Sequence, residues 1–190
     1  MRLGRRGFLG LGAGAAFAAG TPGRVLVVAA DAGWLECAGG LVARRIGEGS
    51  EAVLVRVGND EKEGYGLTRE ETAWRNRTEG EAAAKLLGIG EVHSLGFQSS
   101  ELRDVPHTTM RDRIILLIRQ YRPAVLVIPN PHTEHDRNLD RYYAGAAAED
   151  AWHCARFANF LPAAGNGGLK PYVVPEVYYY APPDRKSTRL

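Results

Sequence analysis

Short apolar runs rich in β-branched residues alternate with longer segments of helical periodicity along most of this chain. Strands followed by polar loops and helices are typical of βαβ units, in which right-handed crossovers place helices on both faces of a parallel sheet. The sequence therefore predicts an α/β fold, a Rossmann-like three-layer α/β/α arrangement with a mostly parallel sheet. The predicted strands are residues 24–29, 52–57, 91–95, 124–129 and 176–181, and the predicted helices are residues 39–48, 69–87, 107–121 and 141–157.

Length, charge and cysteine content narrow the possible functions. The chain has 190 residues, of which 45% are hydrophobic, so one α/β core is expected and a second full domain is not. A formal net charge of +2 predicts no basic face, so nucleic acid is not expected as a partner. Cys37 and Cys154 lack the spacing of a structural zinc site and are interpreted as small buried hydrophobic residues.

The two ends of the chain differ from the middle. Residues 1–20 place Arg5 and Arg6 before a short Gly/Ala-rich apolar stretch, which predicts a twin-arginine export signal and a periplasmic or extracytoplasmic mature protein. That stretch is too short for a membrane span, and none is expected in the mature chain. Residues 184–190 match a sequencing adapter read in frame and are interpreted as an artefact, which leaves residues 21–183 as one domain truncated at its C-terminus.

Polar loops follow the first, second and fourth predicted strands, at residues 31–36, 58–66 and 130–143. Because the carboxyl ends of parallel strands lie at one edge of the sheet, we expect these loops to form a ligand site there. The third loop contains His132, His135 and Asp136, which are residue types that bind catalytic zinc. A charged loop in contact with solvent is the alternative interpretation.

The first loop resembles the opening motif of the LmbE/PIG-L-like de-N-acetylases, in which His-Pro-Asp-Asp-x-Glu precedes a pair of glycines. The matching residues run from Asp31 to Glu36, so the glutamate is retained and the histidine and paired aspartates are not. Members of that family are zinc hydrolases that remove acetyl from N-acetylglucosaminyl compounds and related amino sugars. The resemblance implies a Rossmann-like fold and a small-molecule amino-sugar or glycoconjugate ligand.

Residues 138–142 resemble a later family motif, His-Pro-Asp-His-Arg, of which Asp140 is retained. The other functional positions of the family carry different residue types here. Its zinc ligands correspond to Asp31, Trp34 and Arg141, its general base to Gly33 and its oxyanion-stabilising histidine to Asn138. Since an indole offers only a donor and a guanidinium is a permanent cation, these residues do not bind zinc in the family's way.

Two further segments resemble the family's substrate pocket. Residues 57–61 resemble its Thr-Asp-Gly-Glu loop, and Arg77 with Glu79 resembles its Arg-x-x-Glu region. The resemblance implies that Asn59 and Arg77 contact the substrate. A solvent-exposed helix face is the alternative for Arg77 and Glu79.

The first functional interpretation is a metal-dependent N-deacetylase with a rebuilt site. Asp31, His132 and His135 then bind zinc or another divalent metal. The catalytic carboxylates are Asp31, Glu36 and Asp140, with Glu36 or Asp140 as the base.

The second interpretation is a catalytically inactive family member that needs no cofactor. Such a protein binds a carbohydrate or an anion through Asn138 and Arg141, with the guanidinium in place of the metal's positive charge. The residues alone leave both interpretations open.

Overall fold

The structure is a computed structural model that describes residues 22–134 and 136–183. The predicted export segment, His135 and the predicted adapter segment lie outside the described residues. Five strands form a single sheet in which every neighbouring pair is parallel. The strands are β1 (Val25–Ala29), β2 (Ala52–Gly58), β3 (Glu91–Phe97), β4 (Val125–Pro129) and β5 (Glu176–Tyr180).

The strands lie in the spatial order β3, β2, β1, β4, β5. All residues of β1, β2 and β4 are buried, as expected for parallel strands that are covered on both faces. The prediction of an α/β fold with a mostly parallel sheet is confirmed.

Helices pack on both faces of the sheet. They are α1 (Trp34–Gly47), α2 (Arg69–Leu86), α3 (His107–Tyr121), α4 (Leu139–Cys154) and the short α5 (Pro162–Asn166), with a 3₁₀ turn at Leu102–Asp104. Buried residues of α1 and α2 share one core with one face of the strands, and buried residues of α3 and α4 share a second core with the opposite face. The three-layer arrangement follows from these two separate cores.

Two elements differ from the sequence prediction. Helix α1 begins at Trp34, five residues before the predicted start, because Trp34, Ala38 and Val42 repeat every four residues and bury one face of the helix against the sheet. Residues 162–166, predicted as loop, form α5, where Pro162 stands at the first helical position and fixes its backbone. Among the described residues, no helix is long and apolar enough to cross a bilayer.

The order of the strands places one crevice at the carboxyl edge of the sheet. From β1 the chain adds β2 and β3 on one side, and it then returns to add β4 and β5 on the other. In open α/β sheets, ligands bind where the strand order reverses in this way, beyond the carboxyl ends of the strands. The loops after β1, β2 and β4 meet at this edge, as the sequence predicts.

Candidate functional site

A pocket of about 410 Å³ opens at the carboxyl ends of β1 and β2. One wall comes from the loop after β1, another from α2, and a third from the start of α4. Polar side chains in the lining come from these three walls and from β2 with the loop after it, and are Asp31, Arg56, Asp60, Glu63, Asn76, Glu79, Asn138 and Arg141. Apolar groups, among them Trp34, Leu54 and Ala83, line the remainder.

Arg141 forms a two-pronged ion pair with Asp31 at the carboxyl end of β1. Its Nε donates to Oδ2 of Asp31 over 2.8 Å, and its Nη2 donates to Oδ1 over 3.1 Å. Nη1 of Arg141 lies 3.3 Å from Oδ2 of Asp136. The three side chains are mostly buried, with 20% of Arg141 and 12% of each carboxylate exposed. A planar guanidinium matches a carboxylate in this geometry better than any other cationic side chain does.

The carboxylates of Asp31 and Asp136 are also held by hydrogen bonds from backbone N–H groups in their own turns. Oδ1 of Asp31 accepts the backbone N–H of Gly33 at 2.7 Å, and Oδ1 of Asp136 accepts the N–H of Asn138 at 3.0 Å. Asn138 caps α4 by accepting the N–H of Asp140, and its Nδ2 donates to Oδ2 of Asp31 at 2.6 Å. Both predicted binding residues of this motif, Asn138 and Arg141, therefore contact Asp31.

Gly33 makes room for the guanidinium. A Cβ at this position would lie 2.5 Å from Nη2 of Arg141 and 2.8 Å from Oδ1 of Asp31, closer than real Cβ contacts allow. Burial alone lowers the pKa of Arg141, but the bonds to Asp31 and Asp136 outweigh burial and raise that pKa above its ordinary value. Arg141 is a permanent cation in this site.

The donor set does not fit the zinc that the family resemblance implies. Of the three ligand positions, Asp31 already shares its carboxylate with a cation, Trp34 is buried and offers only an N–H, and Arg141 repels a divalent ion. Among the described residues, no group of three or more His, Cys, Asp or Glu side chains is arranged to hold a metal. The guanidinium of Arg141 contacts Asp31 where the family motif places a metal.

A second, more buried ion pair, Arg56 with Asp60, lines the same pocket. Nη2 of Arg56 donates to Oδ2 of Asp60 over 3.1 Å, and 9% and 10% of the two side chains are exposed. Burial raises the pKa of Asp60 to about 6, because desolvation of its carboxylate outweighs the attraction of Arg56, and the charges of Asp31 and Glu63 add to the effect. A carboxyl group with a raised pKa in a cleft is typical of a functional site.

Sequence analysis missed this second pair. The available signal was an arginine inside an otherwise apolar strand, AVLVRVG, four residues before an aspartate in a polar loop. A charged residue at a buried strand position needs a partner, which here is Asp60.

The other predicted site residues lie outside the pocket. Glu36 is exposed on α1, and Arg77 is exposed on α2, where it pairs with Glu81. Asn59 donates from Nδ2 to the carbonyl of Gly96 and lines a separate groove. The structure does not bring these side chains to the pocket, because their elements turn them toward solvent or the neighbouring strand.

Two more predictions concern the loop after β4 and the start of α4. His132 is 70% exposed, its Nε2 lies 3.3 Å from Oε1 of Glu149, and it does not line the pocket with Asp31. Because His135 lies outside the described residues, the metal site of Asp31, His132 and His135 stays a prediction. Asp140 lines an adjacent cavity, where its carboxylate accepts the backbone N–H groups of Ser100 and Leu102. These bonds give Asp140 a structural role in holding the 3₁₀ turn against α4.

Residues 35–149 match the family model PIG-L, GlcNAc-PI de-N-acetylase. A diacetylchitobiose deacetylase from Thermococcus kodakarensis is 31% identical over 111 residues, which cover 58% of this chain and 40% of that protein. The segment matched by the family model runs from α1 into α4 and includes Asp60, Asp136 and Arg141.

Solved structures show the same fold. N,N'-diacetylchitobiose deacetylase from Pyrococcus horikoshii superposes with a TM-score of 0.77 at 22% identity over 83% of this chain and 60% of that one. GalB from Pseudomonas putida KT2440, a 4-carboxy-2-hydroxymuconate hydratase, gives a TM-score of 0.68 at 22% identity over 84% and 65%. Two different named activities on one fold mean that the fold does not determine the reaction.

This chain spans less than two thirds of the length of each of these three proteins. The family model nevertheless matches more than half of it, including the loops after β2 and β4. The chain therefore belongs to the PIG-L (GlcNAc-PI de-N-acetylase) family.

Proposed function

We propose that this protein binds an N-acetylated amino sugar, or a conjugate that carries one, in the 410 Å³ pocket, without hydrolysing it at a metal centre. Membership of the PIG-L family and the similarity to a diacetylchitobiose deacetylase support the ligand class. One observation carries the proposal that no hydrolysis occurs at a metal centre. It is the two-pronged ion pair between Arg141 and Asp31.

The size and lining of the pocket suit a small polar ligand. Its volume of about 410 Å³ lies in the lower part of the range found for small-molecule sites. Carboxylate, amide and guanidinium groups are available for sugar hydroxyls, and Leu35 and Ala83 supply apolar surface.

The charges in the pocket favour a neutral sugar over an anion. Both guanidinium groups in the lining, Arg56 and Arg141, already have a carboxylate partner within 3.1 Å. An anion has to compete with these carboxylates for the same donors, whereas a neutral hydroxyl or amide can use the donors that remain free. Of the two ligand classes predicted for an inactive member, carbohydrate is therefore the better supported.

Metal-dependent N-deacetylation is the competing candidate, and family membership favours it. It requires Asp31 to exchange Arg141 for a divalent cation, which leaves the guanidinium mostly buried without its main partner. The ion pair thus opposes metal binding at this position.

Calorimetric titration of the protein with N,N'-diacetylchitobiose and N-acetylglucosamine, in a buffer containing EDTA, tests the proposal. We expect saturable binding, and we expect no acetate release when the same ligands are incubated with the protein and zinc. Zinc-dependent acetate release contradicts the proposal, and so does the absence of binding to either ligand.

Two matched variants test whether the sugar binds next to Arg141. Arg141→Met removes one of the two guanidinium groups in the lining and is expected to weaken binding by tenfold or more, roughly the free energy of a charge-assisted hydrogen bond. Arg44→Met is the control, because Arg44 is an exposed arginine on α1 that pairs with Glu48 and does not line the pocket. Equal affinity in the two variants contradicts a role for Arg141.

The site of action proposed from the predicted export segment is outside the cytoplasm.

A further inference from the structure

Two further cavities adjoin the sugar pocket on the side of α4. The middle cavity has a volume of about 450 Å³ and shares four lining residues with the pocket, Asp31, Asp60, Glu63 and Asn138. The distal cavity, also about 450 Å³, lies at the start of α3 and shares Arg103 with the middle cavity. Glu63 and Arg103 are exposed, so neighbouring cavities meet at the protein surface. The pocket and the two cavities therefore form one surface groove.

The two walls of the groove beyond the pocket are joined by Asp140. Its carboxylate accepts the backbone N–H groups of Ser100 and Leu102. These bonds connect the 3₁₀ turn that carries Arg103 to the start of α4, which carries Tyr142. The two side chains thus stand on backbone segments that are fixed relative to each other.

The distal cavity contains an exposed aromatic ring with a buried support. Tyr142 lines this cavity and is 50% exposed. Its ring lies edge-to-face with that of Tyr143, with the centroids 5.1 Å apart and the planes at 85°. Tyr143 packs in turn against the hydrophobic core. A ring held in this way offers ordered apolar surface to the carbon face of a pyranose, and its hydroxyl stays available for hydrogen bonds.

Arg103 brings hydrogen-bond donors that the protein leaves unused. Its Nε lies 3.9 Å from Oδ1 of Asp104, beyond hydrogen-bond distance, and its side chain is 62% exposed. Arg56 and Arg141 in the pocket, by contrast, donate to carboxylates over 3.1 Å and 2.8 Å. The guanidinium of Arg103 can therefore donate to sugar hydroxyls without losing an existing bond.

We propose that the ligand is an oligosaccharide of at least three sugar units. Its end occupies the pocket, the next unit lies in the middle cavity, and a further unit stacks on Tyr142 and accepts hydrogen bonds from Arg103. The continuity of the groove with the pocket carries this proposal, because each added cavity is as large as the pocket itself. The proposal rests on the proposed function and deepens it.

The test is calorimetric titration of the unmodified protein, in a buffer containing EDTA, with N,N'-diacetylchitobiose and with the corresponding tetrasaccharide. A tetrasaccharide contains three overlapping disaccharide units, so statistics alone raise its affinity by about threefold. We expect the tetrasaccharide to bind at least tenfold more tightly, since stacking and hydrogen bonds to a charged donor are added. Equal affinity, or a gain of about threefold, overturns the proposal.

Variants assign the gain to the distal cavity. Tyr142→Ala is expected to lower the ratio of the two affinities by about fivefold, whereas Tyr142→Phe keeps the ring and is expected to keep the ratio. Combining Tyr142→Ala with Arg103→Met is expected to leave only the statistical gain of about threefold. Tyr65→Ala is the control, because Tyr65 is fully exposed and lines none of the three cavities.

The outcomes separate this proposal from the proposed function. If the disaccharide binds and the tetrasaccharide gains nothing beyond statistics, the oligosaccharide proposal fails and the proposed function stands. The same holds if the tetrasaccharide is preferred and Tyr142→Ala keeps the full ratio. If neither sugar binds, both fail.

Discussion

Because the pKa of Asp60 is raised, this residue makes the stability of the protein depend on pH. The substitution Asp60→Asn removes this contribution and so allows it to be measured. Its carboxylate loses most of its hydration on folding, and Arg56 offsets only part of that loss, so its pKa rises from 3.8 to about 6. The folded protein binds this proton more tightly than the unfolded chain does. The corresponding stability is fully present below pH 3.8 and is lost as the pH rises through 6. Its total is about 3 kcal/mol, of which about 2 kcal/mol lies between about pH 4.5 and about pH 7.5.

The measurement is urea unfolding of the unmodified protein and Asp60→Asn at these two pH values. Asparagine does not titrate, and the contributions of ionisable groups that do not interact with Asp60 cancel when the free energies of unfolding of the two proteins are subtracted. We expect this difference to move by about 2 kcal/mol in favour of the variant as the pH rises. A difference that stays constant within about 0.5 kcal/mol, or that moves the opposite way, refutes the argument about desolvation of Asp60.

Three further substitutions test the structural arguments for the site. Arg141→Met leaves the carboxylates of Asp31 and Asp136 without their cation and is expected to lower the free energy of unfolding by about 2–4 kcal/mol in urea, a result that a change below about 0.5 kcal/mol contradicts. Gly33→Ala places a Cβ 2.5 Å from Nη2 of Arg141, so we expect a loss of about 1–2 kcal/mol and weaker sugar binding. Unchanged stability and affinity would show that the guanidinium does not need this space. Asp140→Ala leaves two backbone N–H groups without an acceptor and is expected to cost about 2–3 kcal/mol in the same assay, whereas a neutral effect contradicts the structural role.

The general architecture could be predicted from the sequence because it depends on local periodicity. Apolar β-branched runs mark the buried strands, and the polar loops between them mark the edge at which the site lies. Two local details were harder to predict. The start of α1 at Trp34 depends on packing of that residue against the sheet. The short helix at Pro162 lies in a Gly- and Ala-rich segment whose composition is also typical of a loop.

The site was only partly predictable, because its contacts join residues far apart in the chain. The sequence indicates that Asp31, Asn138 and Arg141 replace motif residues, but their mutual hydrogen bonds depend on the adjacency of β1 and β4. Asp60 lies in the segment that resembles the family's Thr-Asp-Gly-Glu loop, but its pairing with Arg56 could not be predicted without knowing which strand positions face the pocket. His132 was plausible as a metal ligand by residue type, but the structure directs it to Glu149 and solvent.

Glu36, Asn59 and Arg77 illustrate a limit of reasoning by correspondence with a motif. Each occupies or adjoins a position that resembles a functional family segment, and each lies outside the pocket. A motif position specifies a place in the chain, whereas the direction of the side chain depends on where the helix or strand begins. The earlier start of α1 leaves Glu36 on an exposed face of the helix.

The central claim is that the Arg141 guanidinium takes the place of a divalent cation beside Asp31. The most direct test is the zinc content of the protein by elemental mass spectrometry, after incubation with excess zinc and removal of unbound metal by gel filtration. We expect substoichiometric zinc, in equal amounts in the unmodified protein and in Asp31→Asn. About one zinc per chain that is lost in Asp31→Asn would contradict it, because Asp31 would then bind the metal in preference to Arg141.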